Sequence, residues 1–594
     1  LITKCESVVI AHSREIPILS FSPLERTCSR LLEWARPLLS ADLYRESMRA
    51  VEGFLSSSGE GHLLQGELDR IYPEQRDVLK WMPYWENWYL SNRHPLPANC
   101  NPFYVLEIEG EKLKIDNVEL SAMAVEAALK FHLKIKKGDL KPDRWNGRLL
   151  SMEQYDLIFG VTRIPGKDMD RNLKSDTDYI AVLCNGHIFL QKVLEGENIV
   201  PSEGLARNFR IIMEQSRRPA RVPLSELTSL PRSKWAEIRD KLIQCKEVAR
   251  AIEAIEKSLF VLCLDEPREM TLEELSLSVL LGPPESRWFD KSLQVVALGK
   301  GRIGINFEHS QRDGTPMGRF VKFLNEEIAT LRLKTGAAPS PIEVDIPERD
   351  YVKDISLKAQ KEAEKAFSKL KLSVINFKDF GKEEIKRLKL SPDGFVQTAL
   401  FLSQKRAWGH VKTTFESVML RQFWKGRTEG MRPFNSWTGA FLRLIDDPSA
   451  SDRARNAAML KAIKAHSFRA RLCMDGKGLE GHLGLLEAIA EGKVGKRALV
   501  EKPKIYECPA WKVLQDIGIT SSTTSGEGLV SAGYGPAQED GIAVRYIKRP
   551  DCLVFCVTSL DDFDDSRRRF IEKLPKALKD MRRCAGLSTE RKFL

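Results

Sequence analysis

Of the nine histidines in this 594-residue chain, His309 alone has a carboxylate four residues on, Asp313, in the run EHSQRDG. A neutral imidazole titrates near working pH and is suited to taking a proton from an alcohol. The preceding run GRIGINFE reads as a strand, so His309 sits where a strand gives way to a loop or helix. Such a position joins a rigid scaffold to a side chain that can face a cavity. Asp313 either anchors nearby structure or favours the imidazolium. On spacing alone, this short pattern fits a surface histidine in a polar turn better than a catalytic one.

Two further runs could do chemistry. TSSTTSGEG, residues 520–528, clusters hydroxyls before glycines and could donate hydrogen bonds to an oxyanion. Taken alone it reads as a polar turn. FGKEEIKRLKLSPD, residues 380–393, places Lys382 and Lys386 four apart on one helix face, where two ammoniums can hold a phosphate. The interleaved Glu383 and Glu384 fit a solvated face equally. No G-x-S-x-G elbow is present, which disfavours a serine hydrolase.

These residues need elements to hold them. The run LERTCSRLLEWARPLLSADLYRESMRAVEGFL has apolar residues at helical spacing, with Pro37 as a break. WMPYWENWYL, beginning at Trp81, reads most simply as core. Residues 179–194 read as a hairpin about Asn185-Gly186. SLFVLCLDE, LQVVALGKGRIGINFEHS and LVFCVTSL read as strands. SKWAEIRDKLIQCKEVARAIEAIEKSL, VKDISLKAQKEAEKAFSKL and RRRFIEKLPKALKDMRR read as helices. The Pro-rich span 336–350 reads as an inter-domain crossing. The expectation is a mixed α/β chain: helices over 1–92 packing with the C-terminal domain, a domain over 93–348 carrying His309, and another over 349–594.

A chain this long exceeds the size of one hydrophobic core. Its composition, 42% hydrophobic and 29% charged, is that of a soluble globular protein. A net charge of +11 is modest for this length, and there is no nucleic-acid motif, so no nucleic-acid partner is expected. The 11 cysteines are scattered without CxxC pairs, which argues against zinc and for a reduced, cytoplasmic protein. No apolar run reaches transmembrane length, so no membrane partner is expected. The start, LITKCESVVI, lacks Met and resembles no leader, which reads as a piece of a longer protein.

Eight runs occur in an order similar to that of the carnitine/choline acyltransferase family. They include PILSFSPLERTCSRLLEWARPLLS, YLSNRHPLPANCNPF, SMEQYDLIFGVTRIPGKDMD, LTSLPRSKWAEIRDKL, RWFDKSLQVV, the EHS of His309, FGKEEIKRLKLSPDGF and FESVMLRQFWKGRTE. With the hydroxyl cluster they cover nearly the whole chain. The resemblance implies two similar chloramphenicol-acetyltransferase-like α/β domains, each a mixed sheet with flanking helices, with the active-site tunnel at their interface. It implies direct transfer from a thioester to an alcohol, without an acyl-enzyme, and His309 as base. The family's Ser-Thr-Ser falls on Thr520, Ser521 and Ser522, which implies Thr520 and Ser521 at the acceptor and Ser522 as oxyanion donor or, in a slipped register, Ser525. Lys382 and Lys386 match the lysines that hold the 3′-phosphate of coenzyme A, and Asp393 the Asp near its adenine.

The acceptor pocket departs from the family. Carnitine enzymes hold the substrate carboxylate with a Tyr, a Thr and an Arg; those positions are Phe415, Thr428 and Gly481. Each lost charge-assisted hydrogen bond is worth about 1.5–3 kcal/mol, so carnitine binding should weaken by orders of magnitude. The departure is similar to the carnitine-acyltransferase-like domain of some fungal highly reducing polyketide synthases. That likeness implies release from an acyl carrier protein domain onto a small alcohol or polyol. The retained lysines suit coenzyme A instead, which keeps a stand-alone carnitine or choline acyltransferase as the alternative. An inactive binding module of the same fold is the alternative from another class. No permanently bound cofactor or metal is expected; a CoA or phosphopantetheine thioester is the co-substrate.

Overall fold

The computed structural model describes residues 15–71, 82–108, 115–299, 301–494, 500–524 and 526–586. Fourteen strands build its two large sheets: β1 (Phe103–Leu106), β2 (Tyr179–Cys184), β3 (His187–Lys192), β4 (Val261–Leu264), β5 (Gln294–Gly299), β6 (Arg302–Asn306), β7 (Ile342–Glu343), β8 (Leu370–Phe377), β9 (Thr413–Met419), β10 (Thr428–Met431), β11 (Ile517–Thr524), β12 (Leu529–Gly533), β13 (Ile542–Lys548) and β14 (Leu553–Leu560). The first sheet has eight strands in the order β7-β3-β2-β4-β5-β6-β1-β12, and the second six in the order β8-β14-β13-β11-β9-β10.

Both sheets are mixed. In the first, β2, β4 and β5 run parallel; in the second, β9, β11 and β13 do. Strands covered on both faces read as continuous apolar runs, and the fully buried VLCL of β4 and QVVALG of β5 come close to that pattern. The Asn185-Gly186 turn forms the expected hairpin. Both residues have positive φ, 49° and 81°, which a two-residue turn of this hand requires.

The first helices behave as their spacing predicts. Leu24–Ala35 ends at Pro37, and Ala41–Leu55 starts from Ser40, whose hydroxyl accepts the Leu43 N–H. Their apolar stripes share a core with Val418, Leu420, Leu483 and Trp511 of the second half. Residues 336–350, expected as a crossing, contribute a strand of their own. Ile342 and Glu343 add β7 to the edge of the first sheet. The helix Asp350–Ser368 then buries Val352 and Ala359 in a cluster with Leu183 and Trp235.

One crossover brings the two sheets to a common site. After β11 the chain leaves the second sheet, adds β12 antiparallel to β1 at the edge of the first, and returns as β13. Gly528 makes the passage at φ 74°, with its carbonyl accepting from Asn325 Nδ2 at 2.6 Å. A Cβ there would stand 2.2 Å from that nitrogen and displace the Asn325 side chain, on a backbone conformation that already favours glycine. This passage ties the sheet that carries the hydroxyl strand β11 to β1, which pairs with β6, and His309 lies three residues beyond β6.

Among the described residues, all cysteines are free. No helix among them is long and apolar enough to cross a membrane.

Candidate functional site

A cavity of about 650 Å3 runs between the two sheets. His309, in the loop after β6 of the first sheet, and Arg163, on a separate two-stranded ladder, line one side; Phe415, Thr428, Ser522 and Arg545 line the other from the second sheet. The sequence-predicted base, its Asp313, the oxyanion donor and four of the five acceptor positions, Phe415, Thr428, Thr520 and Ser521, therefore line one space, while Gly481 does not.

His309 occupies the loop between β6 and the helix Gly314–Thr330. Its ring stacks on Tyr89, with centroids 5.3 Å apart and planes 28° from parallel. Burial pushes its pKa below the ordinary imidazole value, outweighing the Asp313 carboxylate, so the ring is neutral at neutral pH. The side chain of Asp313 does not hydrogen-bond the ring; Oδ1 stays 3.9 Å from Nδ1. Nor does it cap the helix that it precedes. Arg427 takes it instead, donating from Nε to Oδ2 and from Nη2 to Oδ1, both at 2.9 Å. Gln154 closes the remaining side, donating to Oδ2 at 2.8 Å and accepting the Asp313 N–H at 2.7 Å. Burial pushes the Asp313 carboxyl up, but the guanidinium holds it below the usual carboxylate range.

Arg427 also donates to the main-chain carbonyl of His309 at 3.0 Å and lies over the Tyr89 ring at 5.5 Å. One side chain of the second half thus fixes the loop, the carboxylate and the stacking partner of the base. Removing one partner of a buried ion pair strands the other. Arg427→Ala is therefore expected to cost about 3–5 kcal/mol in urea unfolding. A loss below about 1 kcal/mol would show that the pair does not tie the halves together.

Beneath the loop lies a buried ion network drawn from separate sequence runs. Glu308 receives Arg163 Nη1 at 3.1 Å, Arg312 Nη1 at 3.3 Å, and both the N–H and hydroxyl of Ser310. Burial raises the Glu308 carboxyl, yet these donors bring it down to about 2. Arg163 Nε continues to Asp170 at 2.7 Å, which also takes Arg232 at 2.7 Å and Arg93 at 3.0 Å. Arg232 then reaches Asp290 at 2.5 Å. Their parent runs, SNRHPL, VTRIPGKDMD, LPRSKW, RWFDKS and EHS, are far apart in the chain and converge here.

The hydroxyls 520–524 form a strand, and the polar turn that the composition suggests is confined to the glycine end that follows. Ser522 Oγ accepts from Arg545 Nη1 at 3.3 Å, and Arg545 Nη2 donates to the Tyr104 hydroxyl at 3.0 Å. The serine proton is left for another acceptor. Ser521 also borders the cavity, but its hydroxyl is committed elsewhere, donating to the Phe415 carbonyl at 2.9 Å and accepting from Gln397 Nε2 at 3.0 Å. Thr520 lines the cavity beside Tyr534. Ser525 lies outside the described residues.

Gly481 stands behind the wall. Its N–H, with that of Glu480, donates to Glu429 Oε1 at 3.1 Å and 3.0 Å. Glu480 reaches the cavity in its place. Lys382 and Lys386 begin and nearly end the short helix Lys382–Arg387 and do not line this cavity. Lys386 pairs with Glu383 at 3.0 Å. Asp393 accepts from the Tyr546 hydroxyl at 2.7 Å and pairs with Lys548. It lies near Glu416 and His466, which bond each other at 2.8 Å. These three are the group of metal-ligand spacing among the described residues. The Lys548 ammonium already supplies the positive charge that an ion would bring.

Sequence reasoning overlooked Tyr89, Arg427, Arg545 and Glu480. Tyr89 belongs to WMPYWENWYL, read as core; the helix Met82–Leu90 instead carries Trp88 and Tyr89 into the cavity wall. Trp81 lies outside the described residues. Arg427 directly precedes Thr428, and a cation beside a pocket residue was the available signal.

The family model described as Choline/Carnitine o-acyltransferase matches residues 19–576. The chain is 28% identical to the choline O-acetyltransferase of Danio rerio, over 97% of this chain and 94% of that one. It is 26% identical to the carnitine O-acetyltransferase of Columba livia, over 96% and 93%, and 26% identical to that of Homo sapiens, over 98% and 95%.

Proposed function

The chain belongs to the choline/carnitine O-acyltransferase family, and on that premise we propose that it moves an acyl group from a thioester directly to a hydroxyl of a neutral polyol, with His309 as general base. The observation that carries this reading is the shared cavity, with a neutral imidazole on one side and the Ser522 hydroxyl on the other.

His309 takes the proton of the acceptor hydroxyl as its oxygen bonds to the thioester carbonyl carbon. The carbonyl oxygen gains the negative charge, and Ser522 donates its proton in a hydrogen bond to that oxygen while Arg545 polarises the serine. The tetrahedral centre collapses, the carbon–sulfur bond breaks, and the thiolate takes the proton back from the His309 imidazolium. Holding both reactants in one cavity supplies the positioning part of the barrier reduction. No residue is acylated.

The donor is a phosphopantetheine thioester, carried by an acyl carrier protein or by coenzyme A. Phe415 and Gly481, in place of carboxylate-binding residues, favour release of a polyketide from its carrier onto a polyol. The exposed Lys386 and the half-buried Lys382 favour coenzyme A as donor, which is the second reading.

A panel of acceptors tests the proposal. With one acyl-CoA as donor, kcat/KM is expected to be about 10²–10⁴-fold higher for a small polyol than for carnitine, the value of two charge-assisted hydrogen bonds. Equal turnover of carnitine would refute the acceptor assignment.

A further inference from the structure

The wall facing Phe415 holds an ion pair for which the acceptor positions Phe415, Thr428 and Gly481 give no account. Glu480 begins the helix Glu480–Ala490, and its carboxylate lines the cavity. Arg432 clamps it from behind, Nη1 to Oε2 at 3.0 Å and Nη2 to Oε1 at 3.2 Å. Arg432 is itself buried, donates from Nε to the Leu514 carbonyl at 2.7 Å, and lies 5.2 Å over the Phe415 ring. An ionised carboxylate has about four lone-pair sites, and the clamp takes two. The Glu480 side chain keeps 21% exposure on the cavity side.

This wall has a definite chemistry. It accepts hydrogen bonds and its charge is already balanced. An acceptor carboxylate placed there would meet Glu480, with the buried Glu429 close behind. Burial, and then Glu480 itself, push the Glu429 carboxyl up to about 7, which marks how poorly the place tolerates more negative charge. A quaternary ammonium has no N–H to offer Glu480, and the guanidinium already covers a face of the aromatic ring that would attract it. A neutral alcohol with a second hydroxyl satisfies the wall. One hydroxyl lies at His309 while another donates to Glu480.

Resting on the acyl-transfer reading above, we infer that the Arg432–Glu480 pair is the specificity element of the acceptor subsite, with Glu480 accepting a hydrogen bond from a second hydroxyl of a polyol. The full chain is assayed with acetyl-CoA and erythritol, choline or carnitine, as wild type and as Glu480→Gln and Glu480→Asp. Glu480→Gln is expected to raise the KM for erythritol by about 10-fold or more, the loss falling on KM rather than kcat, with the KM for acetyl-CoA unmoved. The same variant frees Arg432 and is expected to lower the KM for carnitine. Glu480→Asp, which keeps the charge, should recover part of the erythritol preference.

Calorimetric titration of erythritol into both proteins reads the subsite without turnover, and thermal melts check folding. An erythritol KM and affinity unchanged in Glu480→Gln, or a wild type that prefers choline or carnitine, would overturn the inference. Failure of the underlying reading looks different: no alcohol accepts the acyl group, or transfer persists without His309.

Discussion

Replacing His309 by alanine lowers acyl transfer by about 10²–10⁴-fold while the protein still folds, the usual value of a positioned general base. The ring is not a pillar of the core. It packs on Tyr89 and keeps 26% side-chain exposure toward the cavity. The Arg427–Asp313 pair and the Glu308 network hold the loop without it. Residual turnover above about a tenth of wild type, with an unaltered melting curve, would remove His309 from the mechanism.

The same residue sets a pH limb. Its pKa in the folded protein lies below the ordinary 6.5 because burial outweighs the attraction of Asp313. Transfer needs the neutral ring, so kcat/KM should rise with pH along a limb below 6.5 and be level above it. The sign for stability agrees. The unfolded chain binds the proton more readily, so this histidine's contribution is present above 6.5 and is lost as pH falls. An acid limb centred above pH 7 would mean that the ring carries a proton at rest.

Ser522→Ala is the second large effect, expected to lower kcat by about 10²–10³-fold with little change in the KM for either substrate. The hydrogen bond tightens only as charge develops on the carbonyl oxygen, so its loss falls on the transition state. Ser521→Ala is the control. Its hydroxyl is committed to the Phe415 carbonyl and Gln397. A kcat reduced by Ser521→Ala and spared by Ser522→Ala would reverse the assignment and put Ser521 at the oxyanion.

The architecture was legible where the pattern was local. The Asn185-Gly186 hairpin, the break at Pro37 and the buried runs of β4 and β5 depend on neighbours within a few residues, and the structure has each of them. Hydroxyls 520–524 misled because Ser and Thr favour turns, whereas here β11 takes hydrogen bonds from strands on both sides. WMPYWENWYL misled for a related reason. Aromatic spacing shows that a face is apolar, not whether that face meets a core or a cavity.

By itself the sequence determined the family, through the order of its runs, and nominated His309, Ser522 and Phe415 as members of one site. It also put Phe415 and Gly481 where the resemblance implies carboxylate-binding residues. Which charges meet was decided only by the tertiary structure. The Asp313 carboxylate lies four residues from His309 along the chain, yet its bonds go to Gln154 and to Arg427 from the other half. The space left by Gly481 is answered by Glu480, held by an arginine forty-eight positions away. Spacing along a chain fixes distances only within an element. Ion pairing depends on burial and on the packing of two sheets, which a crossover at Gly528 sets in register.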